Sequence, residues 1–113
     1  MTVDLFAGIP VSDLPAAIAW CERLLGTGAA FHPNDTEAVF EVAEHRYVYV
    51  ELLPEHAGHA RLTAFVEDLD ARLAAAAERG LEPVRVEQYE NGVRKAVFAD
   101  RDGNEFGLGG GPA

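Results

Sequence analysis

A four-residue pattern occurs twice in this chain, and its spacing constrains the fold more than any other feature. The segment Val11-Ser12-Asp13-Leu14 recurs 55 residues later as Val66-Glu67-Asp68-Leu69, and an alanine-rich stretch that ends near a glycine follows each copy. The offset is about half of the 113 residues. Because a fixed internal period indicates duplicated supersecondary units, we predict one domain over 1–113, with module one at 1–57, module two at 58–108 and a flexible tail at 109–113.

The first copy begins with a strand pattern and continues with a helix pattern. Apolar residues occupy alternate positions from Val3 to Val11, which is the period of a half-buried strand. Asp13 is suited to accept hydrogen bonds from the free amides that open a helix, and Pro15 fits the first turn. The face that we expect to pack on the sheet is formed by Leu14, Ile18, Cys21 and Leu25. Trp20 lies off this stripe, so we interpret it as part of a subunit contact or as cover on the helix surface.

Further strand patterns complete each copy and give the order βαβββ twice. In module one they lie near 29–31, 38–42 and 46–53. Module two has a strand at 61–66, a helix at 69–79 and strands at 83–88, 94–99 and 104–108. The dipeptide Asn91-Gly92 predicts a tight hairpin, and the segment 100–104 predicts another short reversal.

The composition excludes several classes of partner. The chain has 19 Asp plus Glu against 9 Lys plus Arg, an excess that opposes binding to a phosphate backbone. No run approaches the roughly 18 apolar residues of a bilayer-spanning helix, and the first residues do not resemble a secretion signal. Cys21 is the single cysteine, so an intrachain disulfide and a multi-thiolate zinc site are excluded. We therefore expect a cytoplasmic protein with no nucleic-acid or membrane partner.

The two βαβββ units, the Val-x-Asp-Leu entry to each helix and the ending Phe-Ala-Asp-Arg-Asp-Gly-Asn-Glu-Phe at 98–106 together resemble the vicinal-oxygen-chelate superfamily of glyoxalases, bleomycin-resistance proteins and extradiol dioxygenases. The resemblance spans nearly the whole chain, with Arg101 in place of a proline that is common in this ending. It implies an α+β fold in which the two modules form a half-open barrel with the helices outside and a groove on the concave face. Many relatives are homodimers, so the resemblance also implies a homodimer.

In metal-dependent members of this superfamily, the residues that bind the ion lie five residues before each repeated valine and in the last strand of each module. By resemblance, these positions fall on Phe6, Glu51, Arg61 and Gly107. Only Glu51 is a possible ligand, and Arg61 carries a permanent positive charge. We therefore predict neither a metal nor another cofactor.

Strand alternation predicts which side chains share the groove. The predicted ligand-binding residues are Phe6, Tyr47, Tyr49, Glu51, Arg61, Thr63, Phe65, Glu105 and Gly107. Two interpretations of the aromatic residues stay open: they stack on a planar or cationic ligand, or they fill ordinary core. Glu51 is a candidate catalytic base, and we also hypothesise a salt bridge between Glu51 and Arg61.

The resemblance to bleomycin-resistance proteins, together with the aromatic groove candidates and the missing metal ligands, implies a metal-free protein that binds a small molecule, such as a drug or antibiotic with aromatic or cationic groups, as a homodimer. The alternative is a lyase, isomerase or dioxygenase of the same superfamily that uses Glu51 as a base or metal ligand, and a third possibility is a structural dimer without a ligand. The connector with Glu55, His56 and His59 is interpreted as an exposed linker, and with His45 it does not have the spacing of a metal site. Cys21 is interpreted as a small buried hydrophobic residue.

Overall fold

In the computed structural model, which describes residues 1–112, the chain forms two four-stranded sheets and two α-helices. Residue 113, the last of the predicted tail, lies outside the described residues. Module one contains β1 (Leu5–Val11), α1 (Leu14–Leu25), β2 (Phe31–Asn34), β3 (Glu37–Ala43) and β4 (Arg46–Leu52). After a 3-10 helix at Pro54–His56, module two contains β5 (Arg61–Phe65), α2 (Leu69–Glu78), β6 (Arg85–Gln88), β7 (Arg94–Ala99) and β8 (Glu105–Gly110). The predicted α+β class and the βαβββ order of both modules are confirmed.

Both sheets have the same strand order, β1-β4-β3-β2 in module one and β5-β8-β7-β6 in module two. The first and last strands of each module pair in parallel, with Phe6 opposite Tyr47 and Thr63 opposite Gly107. Parallel neighbours require a crossover, and α1 or α2 together with the antiparallel strands supplies it. As a result, residues from the two ends of each repeat lie side by side.

The two helices begin differently, although the repeated sequence before them is similar. The Asp13 side chain accepts a hydrogen bond from Ala16 N at 2.9 Å, and Pro15 occupies the first turn of α1, which confirms the predicted cap. Asp68 makes no such bond at the start of α2. Its Oδ1 atom instead accepts a hydrogen bond from Arg72 Nε at 2.7 Å, one turn further along.

Both modules contribute to one hydrophobic core, and this corrects the interpretation of Trp20. The core contains residues of α1, α2 and the helix-covered faces of both sheets, and Trp20 is buried in it. The buried face of α1 consists of Ala17, Trp20, Cys21 and Leu24, whereas Leu14, Ile18 and Leu25 are partly buried beside it. Since α1 also contacts α2, its apolar face is wider than one sheet-facing stripe. Burial of the large indole adds to this shared core.

The turn between β7 and β8 joins the two modules through one buried side chain. Asn104 is 2% exposed, and its amide nitrogen donates to Pro10 O and to Asp100 Oδ2, each at 2.8 Å. Its Oδ1 atom accepts from Gly58 N and Ala60 N, both at 3.0 Å. Asn104 therefore fixes the end of β1 and the approach to β5 with respect to each other.

The ends of α1 also bind module two. Asp102 Oδ2 accepts a hydrogen bond from Ser12 N at 2.9 Å just before α1, and Arg79 Nη2 donates to Leu24 O at 3.2 Å near its last turn. The modules are thus joined on the side that carries the helices. The opposite face of each sheet is left on the outside of the molecule.

Most strands differ from their predicted bounds by one to three residues, and two of these differences have a clear physical reason. The strand predicted near 29–31 lies at Phe31–Asn34, where Pro33 is tolerated because β2 is an edge strand. β8 continues through Gly109 and Gly110, two residues past its predicted end, because these residues pair with Lys95 and Arg94 of β7. No helix within residues 1–112 is long and apolar enough to cross a bilayer.

Candidate ligand-binding faces

The predicted site residues divide between two sheet faces, and only Tyr47, Thr63 and Phe65 among them line the groove between the modules. The module-one face carries Phe6, Tyr47, Tyr49 and Glu51, and the module-two face carries Arg61, Thr63, Phe65, Glu105 and Gly107. On β4 the intervening Val48 and Val50 are buried against the helix side, as the alternation predicts. Because the helix sides of both sheets share one core, both candidate faces point away from that core.

An aromatic pair occupies the edge of the module-one face. The rings of Phe6 and Tyr47 stack with centroids 4.6 Å apart and an interplanar angle of 12°. Phe6 keeps 46% of its surface exposed, and Phe65 on the other sheet keeps 66%. Neither Phe6 nor Phe65 is buried in the core of the chain, and the stacked pair leaves apolar ring surface exposed to solvent.

Gly8 determines where Tyr49 lies, and the sequence-based site did not include it. Gly8 is the β1 partner of Tyr49 on β4. A Cβ atom at position 8 would lie 2.6 Å from both Cζ and Oη of Tyr49, so the absence of a side chain allows the phenol ring to lie across β1. A glycine at a groove-facing position of a strand was the available signal, since it often marks a close approach.

Carboxylates surround these aromatic rings on the module-one face. Glu37 lies opposite Glu51, and Glu41 lies opposite Tyr47, so β3 and β4 direct three carboxylates to the same side. Desolvation, followed by the negative charge of Glu41, raises the pKa of Tyr47. The module-one face is therefore both aromatic and acidic, a combination that favours planar cations.

On the module-two face, Arg61 pairs with Glu105 and not with Glu51, as had been hypothesised. Arg61 Nε lies 3.5 Å from Glu105 Oε1, and Glu51 belongs to the other sheet face. Glu105 also accepts two hydrogen bonds from Arg85, at 3.0 and 2.8 Å, and this contact lowers the pKa of its carboxyl group. Arg85 on β6 and Lys95 on β7 were missed, because charged residues at alternate strand positions resemble an ordinary solvated face.

The positions that hold a metal in relatives do not form a donor set for a divalent cation in this chain. Phe6 and Glu51 lie on one face, and Arg61 and Gly107 lie on the other. They include a single carboxylate, and Arg61 contributes a positive charge. Within the described residues 1–112, no group of three His, Cys, Asp or Glu side chains could hold an ion.

The remaining candidates from the sequence are not assembled into a site. His45 lies in the turn between β3 and β4 with a φ of 66°, and its Nδ1 atom is 2.6 Å from Asp4 Oδ1. This contact does not involve the connector that carries His56 and His59. Cys21 is buried, as predicted, and burial raises its pKa to about 12, which makes it a poor nucleophile.

A groove of about 890 Å³ lies between the modules, beside the edge strands β1 and β5. Much of its lining is apolar and comes from the two strands, including Leu5, Ala7, Leu62, Ala64 and Phe65. Leu5 is 64% exposed in the single chain. Apolar surface of this kind beside two unpaired strand edges is typical of an interaction surface.

Comparisons with known proteins place this geometry in a family. A family model described as a glyoxalase-like domain matches residues 2–109. A glyoxalase/bleomycin resistance protein from Catenulispora acidiphila is 50% identical with a TM-score of 0.94, covering 98% of this chain and 100% of that one.

Two more distant structures share the fold. A bleomycin-binding protein solved with bleomycin is 20% identical with a TM-score of 0.77, and covers 97% and 99% of this chain and its own. A lactoylglutathione lyase from Agrobacterium tumefaciens is 16% identical with a TM-score of 0.75, and covers 98% and 95%. No curated protein matches this chain significantly in sequence.

Proposed function

Since this chain belongs to the glyoxalase-like family of the vicinal-oxygen-chelate superfamily, we propose that it is a metal-free protein that binds a small molecule with a planar cationic group. The observation that carries this proposal is the stacked pair of Phe6 and Tyr47, which is exposed on a sheet face rimmed by carboxylates. A cation over an aromatic ring gains about 0.5–2 kcal/mol, depending on how far it is desolvated. The solved complex of a bleomycin-binding relative supports a drug-like ligand.

The carboxylates give this face its preference for positive charge. Glu37, Glu41 and Glu51 lie on the same side of adjacent strands, and Tyr47 lies among them. A planar cation could stack on the aromatic pair and place its charge near Glu41 or Glu51. A neutral or anionic ring would gain the stacking but not the attraction.

We propose further that the protein is a homodimer in which the second copy covers the groove between the modules. The two edge strands, the apolar lining and the exposure of Leu5 and Phe65 support this arrangement. Charge adds support, because the acidic module-one face of one copy suits the module-two face of the other, where Arg61, Arg85 and Lys95 lie. Such pairing would bring together the predicted site residues that a single chain keeps apart.

A titration with 9-aminoacridine, a planar aromatic cation, tests the binding function. We expect saturable binding by isothermal titration calorimetry, and we expect Phe6→Ala to weaken it about tenfold by removing one stacked ring. Val84→Ala is the control, since Val84 is also an exposed apolar residue but lies in module two, outside the module-one sheet. Equal loss in both variants, or no binding by the unmodified protein, would contradict the proposal.

Sedimentation equilibrium tests the dimer. Leu5→Asp and Phe65→Asp place charge beside the groove and should each shift the population toward monomer. Val84→Asp, at a similarly exposed apolar position outside the residues lining the groove, should leave the assembly unchanged. A monomeric unmodified protein at micromolar concentration would refute the arrangement.

The enzyme alternative depends on Glu51, whose cross-strand partner is another carboxylate, Glu37. Stoichiometric Zn, Ni, Mn or Fe retained after purification would favour that alternative over the metal-free binding protein. The cytoplasmic location rests on the single cysteine and stays a prediction.

A further inference from the structure

A second and chemically different groove lies on the module-two face. It has a volume of about 290 Å³, and its lining includes Arg61, Thr63, Lys95, Val97, Glu105 and Gly107. The strands β5, β8 and β7 contribute these residues side by side, because Thr63 pairs with Gly107 and Gly107 pairs with Val97. Its Arg and Lys side chains form a cationic region on a protein whose formal net charge is −10.

Arg85 binds both carboxylates of this region. It donates two hydrogen bonds to Glu105 and one, from Nε at 2.9 Å, to Glu87. The hydrogen bond from Arg85 lowers the pKa of Glu87 to about 2, so that carboxyl group is ionised and already engaged. Three cations, Arg61, Arg85 and Lys95, then face two carboxylates, which leaves an excess of one positive charge.

Two of these cations are weakly engaged. Arg61 Nε is 3.5 Å from Glu105, which is too long for a good hydrogen bond, and its side chain is 74% exposed. Lys95 Nζ is 3.4 Å from Glu87 Oε1, and its side chain is only 25% exposed. Both can therefore donate to a ligand, and the partial burial of Lys95 would strengthen its attraction for an anion.

Gly107 lets two neighbouring side chains lie close over β8. A Cβ atom at that position would lie 3.0 Å from Thr63 Oγ1 and 3.1 Å from Lys95 Cδ. The hydroxyl of Thr63 and the stem of Lys95 thus take the space that a side chain at position 107 would fill. The groove is therefore lined by a hydroxyl group beside two cationic side chains, Arg61 and Lys95.

We infer that this groove binds an oxyanion, a carboxylate or phosphate group, through Arg61, Lys95 and Thr63. The inference rests on the proposed small-molecule binding function and deepens it, because a ligand that used both faces would carry a negative group as well as a planar cationic one. Charge-assisted hydrogen bonds from Arg and Lys are the usual means of holding such groups. The site occupies the positions of Arg61 and Gly107, where the residues of this chain do not suit a metal.

The test is a titration of the full-length protein with benzoate and with inorganic phosphate, followed by amide shifts in NMR spectra at constant ionic strength. We expect saturable shifts at Thr63, Lys95 and Gly107. Arg61→Gln and Lys95→Gln should each raise the dissociation constant at least about fivefold, because each removes a charged hydrogen bond. Arg23→Gln is the control, since it makes the same change in net charge outside the groove.

Preference for benzoate would identify a carboxylate, and preference for phosphate would identify a phosphoryl group; both outcomes support the site. Equal weakening by Arg23→Gln, or no saturable shift with either anion, would overturn it. The titration with 9-aminoacridine reports on the other sheet. Cation binding without anion binding would therefore refute the oxyanion site alone, and the reverse result would refute the planar-cation proposal alone.

Discussion

Replacement of Asn104 by alanine should destabilise the protein more than any surface change, because its buried amide makes four hydrogen bonds, one of them to the other module. The substitution removes four hydrogen bonds, two donated by Nδ2 and two accepted by Oδ1. At about 1 kcal/mol for each bond, the free energy of unfolding should fall by about 4 kcal/mol. Asn104 is 2% exposed, so water would not easily replace the lost partners. For a domain of this size, the melting temperature should fall by roughly 15–20 °C.

Urea denaturation followed by circular dichroism measures this change. Asn34→Ala is the matched control, because Asn34 is exposed and binds only within its own turn, at Thr36 and Glu37; it should cost less than about 1 kcal/mol. A loss below about 1.5 kcal/mol for Asn104→Ala would refute the view that this buried hydrogen-bond network stabilises the fold.

Asn104→Asp separates the hydrogen bonds from simple packing. An aspartate keeps the acceptor for Gly58 N and Ala60 N but cannot donate to Pro10 O, and its charge would lie beside Asp100. Its folded pKa should therefore be raised above the unfolded value of about 3.9, so the loss of stability should shrink as the pH falls through the folded pKa. A penalty that does not change between pH 7 and pH 4 would contradict this account.

Three further predictions follow from the faces and the core. Gly8→Ala should shift the ring resonances of Tyr49 and change stability by less than about 1 kcal/mol, since the new methyl group displaces the far end of a partly exposed side chain; unchanged spectra would contradict the contact. The Glu87 carboxyl group, whose pKa Arg85 lowers to about 2, should titrate well below its ordinary value of 4.5 in an NMR pH series. The stabilisation from this pair is then present above about pH 4.5 and is lost as the pH falls toward 2, and a titration midpoint above 4 would exclude it. Cys21 should resist a thiol-specific disulfide reagent at pH 8 until urea unfolds the chain, and rapid labelling of the native protein would show that the thiol is not buried.

Much of the fold could be predicted from local sequence signals, because those signals are themselves local. β7 lies at Arg94–Ala99, as predicted, since the preceding Asn91-Gly92 turn and the following reversal limit it on both sides. The cap at Asp13 needs only the residues that follow it. The bounds of β2 differ from the predicted ones because an edge strand is hydrogen-bonded on one side only. Its bounds are therefore determined by pairing with β3 and not by its own composition.

The relation between the modules could not be predicted in the same way. Periodicity indicates which residues of a helix are apolar, but it does not show that a second module packs against them, and Trp20 was therefore placed outside the core. The same limit applies to the site. Alternation correctly put Phe6 and Arg61 on exposed sheet faces, yet whether those faces meet depends on the packing of module on module and on the assembly of chains.

Asn104 and the shared core also show how this two-module chain differs from a polypeptide with a single module. A polypeptide with only the first unit would leave Pro10 O without its amide donor and would lack Phe98, Phe106 and Leu108 from its interior. It could recover those contacts only from another polypeptide, at a rate and occupancy set by concentration. Covalent linkage makes that encounter intramolecular, so the partner is always present in a one-to-one ratio however dilute the protein becomes.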